Sequence, residues 1–231
     1  LASLVLRAQT EYGLHPESGD SPGGDNSSDP DLAENMKTWM KQEGFWEAAS
    51  ARERVLLEKP LGKWSRQEIA DGQWREESLM VLLWALRPDL TMPAYDEQAF
   101  QTEVLKSVPD PEASQAFVAN AKFRDPGEIR KARDVAELWL WRARTTQLQR
   151  ERYKLPAGTN LERIIALAAK KGQEDGLFKA IDNDFPVLRK AYAKLSPEEW
   201  KRMRSIATER LYGLNWLCAY AEDWDEIPTE T

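Results

Sequence analysis

Eight consecutive apolar residues, Leu79 to Leu86, stand out in an otherwise mixed chain. A helix carrying them is apolar on every side and belongs in the middle of a fold, and their Leu, Met and Ala content favours helix over buried strand. At 100° per residue, the stretch 197–221 places Met203, Ile206, Ala207, Leu211, Leu214, Leu217 and Cys218 on one broad face, with Tyr212, Trp216 and Tyr220 as a second stripe opposite. Both sides call for burial, which a helix sandwiched between two layers provides; the alternative is an exposed aromatic stripe that meets a partner. The sandwich predicts that Trp216→Ala is severely destabilising and Trp224→Ala milder. From Pro126, Ile129, Ala132, Ala136, Trp139, Leu140 and Ala143 share a face, while seven arginines and lysines, Arg142 among them, alternate with acids as on a solvated, ion-paired helix.

Helix starts recur. Ser50 with Glu53, Ser65 with Glu68 and Ser196 with Glu199 have capping-box spacing, and Asp110-Pro111 and Asp125-Pro126 add two further starts. Helices are expected at 2–12, 32–43, 50–58, 65–71, 73–87, 96–107, 111–122, 126–152, 161–172 and 197–221, with no period-2 strands. The run "PESGDSPGGDNSSDPD" has too little apolar surface to offset the entropy of ordering. The expected organisation is an N-terminal helical segment (1–15), a flexible linker (16–31) and a single all-α, irregular multi-helix domain (32–231) with a central C-terminal helix.

Charge narrows the function. A net charge of -7 opposes a nucleic-acid backbone. No apolar run reaches the roughly 20 residues of a membrane span. Neither partner is expected. The single cysteine, Cys218, excludes a disulfide framework and reads as a buried inert thiol in a reducing, cytoplasmic setting, because the lone histidine, His15, is remote. Phosphate loops, zinc patterns and Ser-His-Asp orders are missing, so no cofactor is expected.

Arg75 is expected to pair with a carboxylate from another helix, Glu77 to find a different partner, and Glu209 to meet an arginine or a tyrosine hydroxyl. The chain closes on Glu222, Asp223, Asp225, Glu226 and Glu230. Glu222 and Asp225 have the Glu-x-x-Asp spacing of magnesium-dependent pyrophosphohydrolases, and Glu68 with Asp71 would supply the second pair such a site requires.

Four stretches resemble the largely bacterial domain of unknown function 4272 family: "WREESLMVLLWAL", "FVANAKFRDPGEI", "ERLYGLNWL" and "WDEIPTET". The positions carried over are Trp74, Arg75, Glu77, Arg124, Glu209, Arg210, Asn215, Trp216, Trp224, Asp225 and Thr231. Leu140 and Leu211 stand where the family pattern has histidines. The resemblance implies an all-helical cytosolic domain and no assigned activity. The expected function is binding of a protein partner, as an accessory or toxin-neutralising factor, with a magnesium-dependent hydrolase of a nucleotide or phosphate ester as the alternative.

Overall fold

The computed structural model describes residues 1–14, 31–99 and 101–229; His15, all but the last residue of the expected linker, Glu230 and Thr231 lie outside the described residues. In chain order the helices are α1 (Ala2–Leu14), α2 (Leu32–Gln42), α3 (Phe45–Ala48), α4 (Ala51–Leu57), α5 (Arg66–Leu86), α6 (Gln101–Lys106), α7 (Ser114–Asn120), α8 (Pro126–Arg150), α9 (Leu161–Glu174) and α10 (Pro197–Leu217). A two-stranded antiparallel hairpin, β1 (Pro186–Val187) and β2 (Lys190–Ala191), precedes α10. The architecture is all-α, and among the described residues no helix is long and apolar enough to cross a membrane.

All three Ser-x-x-Glu signals form reciprocal capping boxes, opening α4, α5 and α10. Asp125 caps α8 by accepting from the amides of Gly127 and Glu128. Asp110 makes no side-chain cap, and Pro111–Ala113 forms a 3-10 turn before α7.

The core is built around α10, which packs on both α5 and α8, while α1 covers another side of α5. Val81, Leu140, Phe185, Ile206 and Leu214 are fully enclosed where these elements meet. A second apolar cluster joins α1 to α2–α4 through Leu4, Ala8, Met40, Trp46, Leu57, Trp64 and Ile69.

Several expectations are corrected. The helices expected at 65–71 and 73–87 are one, running through Gly72, because that glycine is where α1 crosses: a Cβ there would stand 2.7 Å from Ala8 Cβ and 3.0 Å from the Trp64 ring. The expected helix 96–107 is helical only from Gln101 to Lys106. Helix α10 stops at Leu217 rather than 221, through a Schellman closure in which the Ala219 amide donates to Trp216 O and the Tyr220 amide to Asn215 O. Ala219 takes the left-handed conformation (φ 57°) that glycine ordinarily fills, so the sequence carried no stop signal. Cys218 is consequently the helix C-cap and only half-buried, not part of an apolar helical face; burial still pushes its thiol up, with Arg133 and Arg130 opposing.

Candidate functional site

Two stretches 134 residues apart in sequence meet between α5 and α10. Arg75 Nη1 lies 3.1 Å from Glu209 Oε2, and the Ser78 hydroxyl donates to Glu209 Oε2 and to the Glu209 carbonyl. On the next positions the charges reverse: Arg210 Nε donates to Glu77 Oε2 at 2.8 Å. Burial raises the Glu209 carboxyl and Arg75 opposes it. Arg210, fully enclosed, also donates to the carbonyls of Pro93, Ala94 and Glu97, and Glu77 accepts from the Ala99 amide. The pair thereby fixes the irregular segment between α5 and α6.

Other arginines act in the same way. Arg124 donates to the carbonyls of Trp84, Arg87, Pro88 and Leu90, satisfying backbone oxygens at and beyond the C-terminus of α5, and its guanidinium lies 4.6 Å from the Trp84 ring centre. Arg142 is fully buried, not solvated as its basic helix suggested. It makes a bidentate pair with Asp184 at 2.6 and 2.7 Å, and Asp184 accepts from the amides of Phe185 and Ala193, so this ion pair fastens the hairpin to α8. Arg7 pairs with Glu11 inside α1, and Glu11 accepts from the amides of Gly62 and Trp64. Their hydrogen bonds secure neighbouring segments.

At the end of α10 the aromatic stripe divides. Tyr212 is buried, whereas Trp216 and Tyr220 are 36% and 50% exposed; the sandwich holds for α10 up to Asn215 and fails beyond it. The helix stops too early to carry Tyr220, whose ring instead lies under the Arg133 guanidinium at 4.6 Å. Trp224 folds back edge-on to both Tyr212 and Trp216, at 4.8 and 5.5 Å, and its carbonyl accepts from the Tyr212 hydroxyl. Trp224 is therefore more integrated than expected and Trp216 less. Asn215 bridges Arg133 Nε and the Pro228 carbonyl, clasping the tail. Between this tail and the start of α4 lies a cleft of about 450 Å³, lined by Trp216, Trp224, Leu82 and Arg54 and by the exposed acids Glu222 and Asp223.

The acidic tail does not assemble as a metal site. Asp225 accepts from Ser50 Oγ at 2.6 Å and from the Arg52 amide at 2.9 Å, so it caps α4 from across the fold. Glu68 is held in its own capping box and by Lys59, and Asp71 accepts from Gln67. Among the described residues no three His, Cys, Asp or Glu side chains come together as potential metal ligands.

A separate cleft of about 630 Å³ opens between α5, the 96–99 segment and α10. Glu76 reaches it with only 4% of its surface exposed, and its Oε1 is buried without a hydrogen-bond partner. Burial, reinforced by the charge of Glu77, pushes the Glu76 carboxyl up to about 8. Asp96, Glu97, Gln98 and Arg202 also line the cleft, and Trp74 supplies an apolar wall. Asp96 additionally accepts from the Leu188 amide at the hairpin tip, where Leu188 and Arg189 both adopt left-handed backbone (φ 50° and 61°). Sequence reasoning passed over Glu76 between two paired neighbours. The available signal was its register: with Ile69, Gly72, Leu79 and Met80 it falls on a buried side of α5.

These features define an all-α protein in which buried guanidinium groups hold irregular segments to the helices. The chain belongs to the family described as Domain of unknown function (DUF4272), which it matches over residues 24–168. Arg75, Glu77 and Arg124 fall inside the match, whereas Glu209, Arg210, Asn215, Trp216 and Asp225, which complete their contacts or clasp the tail, fall beyond it. No curated protein and no solved structure matches the chain.

Proposed function

We propose that this protein acts by binding a protein partner through the C-terminal cleft, and that the partner presents a basic segment bearing a large apolar side chain. A cytosolic site of action accompanies this reading, supported by the lone free thiol. The observation that carries it is Trp216, which keeps 36% of its surface exposed beside Trp224 in a cleft edged by Glu222 and Asp223. Tryptophan is, with tyrosine and arginine, enriched among the few side chains that carry most of the binding energy at protein interfaces. The acidic edge and the net charge of -7 favour encounter with a basic partner.

Selection of a displayed random-peptide library on the full chain tests the proposal. Enriched peptides are expected to carry Lys or Arg next to Leu, Met or an aromatic residue, and to lose enrichment on Trp216→Ala while that variant stays folded. Enrichment without basic residues, or enrichment unaffected by Trp216→Ala, removes this cleft as the binding face.

A further inference from the structure

The Glu76 cleft shares no lining residue with the C-terminal cleft, so its ligand is a separate question. A buried carboxyl oxygen with no partner is costly, and a fold that retains one at the inner wall of a cleft has left an acceptor open. The charged groups around it are Glu77 on α5, Asp96 and Glu97 on the loop and Arg202 on α10. Glu77 is already bound to Arg210 and the Ala99 amide, while Glu97 is exposed. Acids outnumber the one lining cation, so the cleft favours a positive ligand. A hard divalent metal needs several converging oxygens, and the described residues provide no such group. An ammonium needs one counter-ion and up to three acceptors, which Glu76 with the amide oxygens of Gln73 and Gln98 can supply, while Trp74 covers an alkyl stem. The volume suits a small molecule.

We propose that this cleft binds a small aliphatic amine, with the Glu76 carboxylate as counter-ion to its ammonium group and Glu97 at the mouth facing a second positive charge. Glu76 is protonated in the empty cleft at neutral pH, so the incoming ammonium displaces its proton. Binding thereby releases protons below about pH 8, and affinity climbs with pH until Glu76 is ionised without ligand.

The test is calorimetric titration of the full chain with 1,4-diaminobutane, using 1,4-butanediol and magnesium chloride as controls, in two buffers of different ionisation heat near pH 7. The diamine is expected to bind with release of about one proton, the diol and magnesium to give no binding heat, and proton release to vanish well above about pH 8. Glu76→Gln should weaken diamine binding at least about tenfold, as removal of a charge-assisted hydrogen bond does, and Glu97→Gln should weaken it less. Equal binding of diol and diamine, magnesium binding in place of the amine, diamine binding without proton release, or undiminished binding by Glu76→Gln would each overturn the proposal. Proton release is read on the parent chain, so the test stands whether or not the variant folds.

Discussion

Glu76 also makes stability depend on pH in an unusual direction. Its carboxyl stands near 8 in the folded chain against an ordinary 4.5. Between those values the native protein keeps a proton that the unfolded chain has released, so unfolding sheds a proton and stability falls as pH rises, levelling off above about 8. At about 1.36 kcal/mol per pH unit, the decline is on the order of a few kcal/mol. Urea unfolding of parent and Glu76→Gln between about pH 5 and 9 is expected to show the variant losing less stability across the window and exceeding the parent at its alkaline end. Parallel profiles would mean that Glu76 is not held neutral by the fold. The signal for Glu76 was present in the sequence though passed over, since its helical register coincides with buried apolar neighbours. Arg142 was not legible: it lies beside the apolar face of α8, and its partner Asp184 lies just before β1, in a stretch without a strand pattern in the sequence.

Among the elements, α1 and α5 depend on closeness. Gly72 interrupts the apolar pattern and invites a helix break, yet the backbone continues because the missing side chain admits Ala8 and Trp64. Gly72→Ala should therefore lower stability by up to about 2 kcal/mol, since overpacking costs about 1–3 kcal/mol and the better helix propensity of alanine returns about 1. Urea midpoints measure this, and a stabilised variant would show that α1 can shift without loss. Helix starts were readable because capping is local chemistry: Ser50, Ser65 and Ser196 need only a glutamate three residues on. Stops were less so. Ala219 after α10 and Arg152 after α8 take left-handed backbone without glycine, and Leu188 with Arg189 makes the hairpin turn in the same conformation, so tertiary packing rather than turn-forming residues sets those ends.

At the scale of the whole molecule, the family match ends at residue 168, but the core does not. Ile206, Leu211 and Leu214 of α10 fill the space between α5 and α8, and Arg210 neutralises Glu77 inside it. A chain cut after residue 168 would leave Val81 and Leu140 facing water and Glu77 without its cation. It is expected to show no cooperative thermal transition in calorimetry, whereas the intact chain melts in one; a cooperative transition in the fragment would establish an independent folding unit there. The all-α class and the central position of α10 followed from apolar periodicity, whereas the placing of Tyr220 off the stripe followed from one unsignalled helix stop. The arginines carry a last consequence, for how the chain can change over generations. Arg124 spreads two nitrogens over four carbonyls, and Arg210 spreads three over a carboxylate and three carbonyls. A lysine ammonium has neither the planar fork nor the reach to replace them. A lineage whose base composition pushes arginine codons toward lysine can yield at the surface, but must hold these positions against the drift.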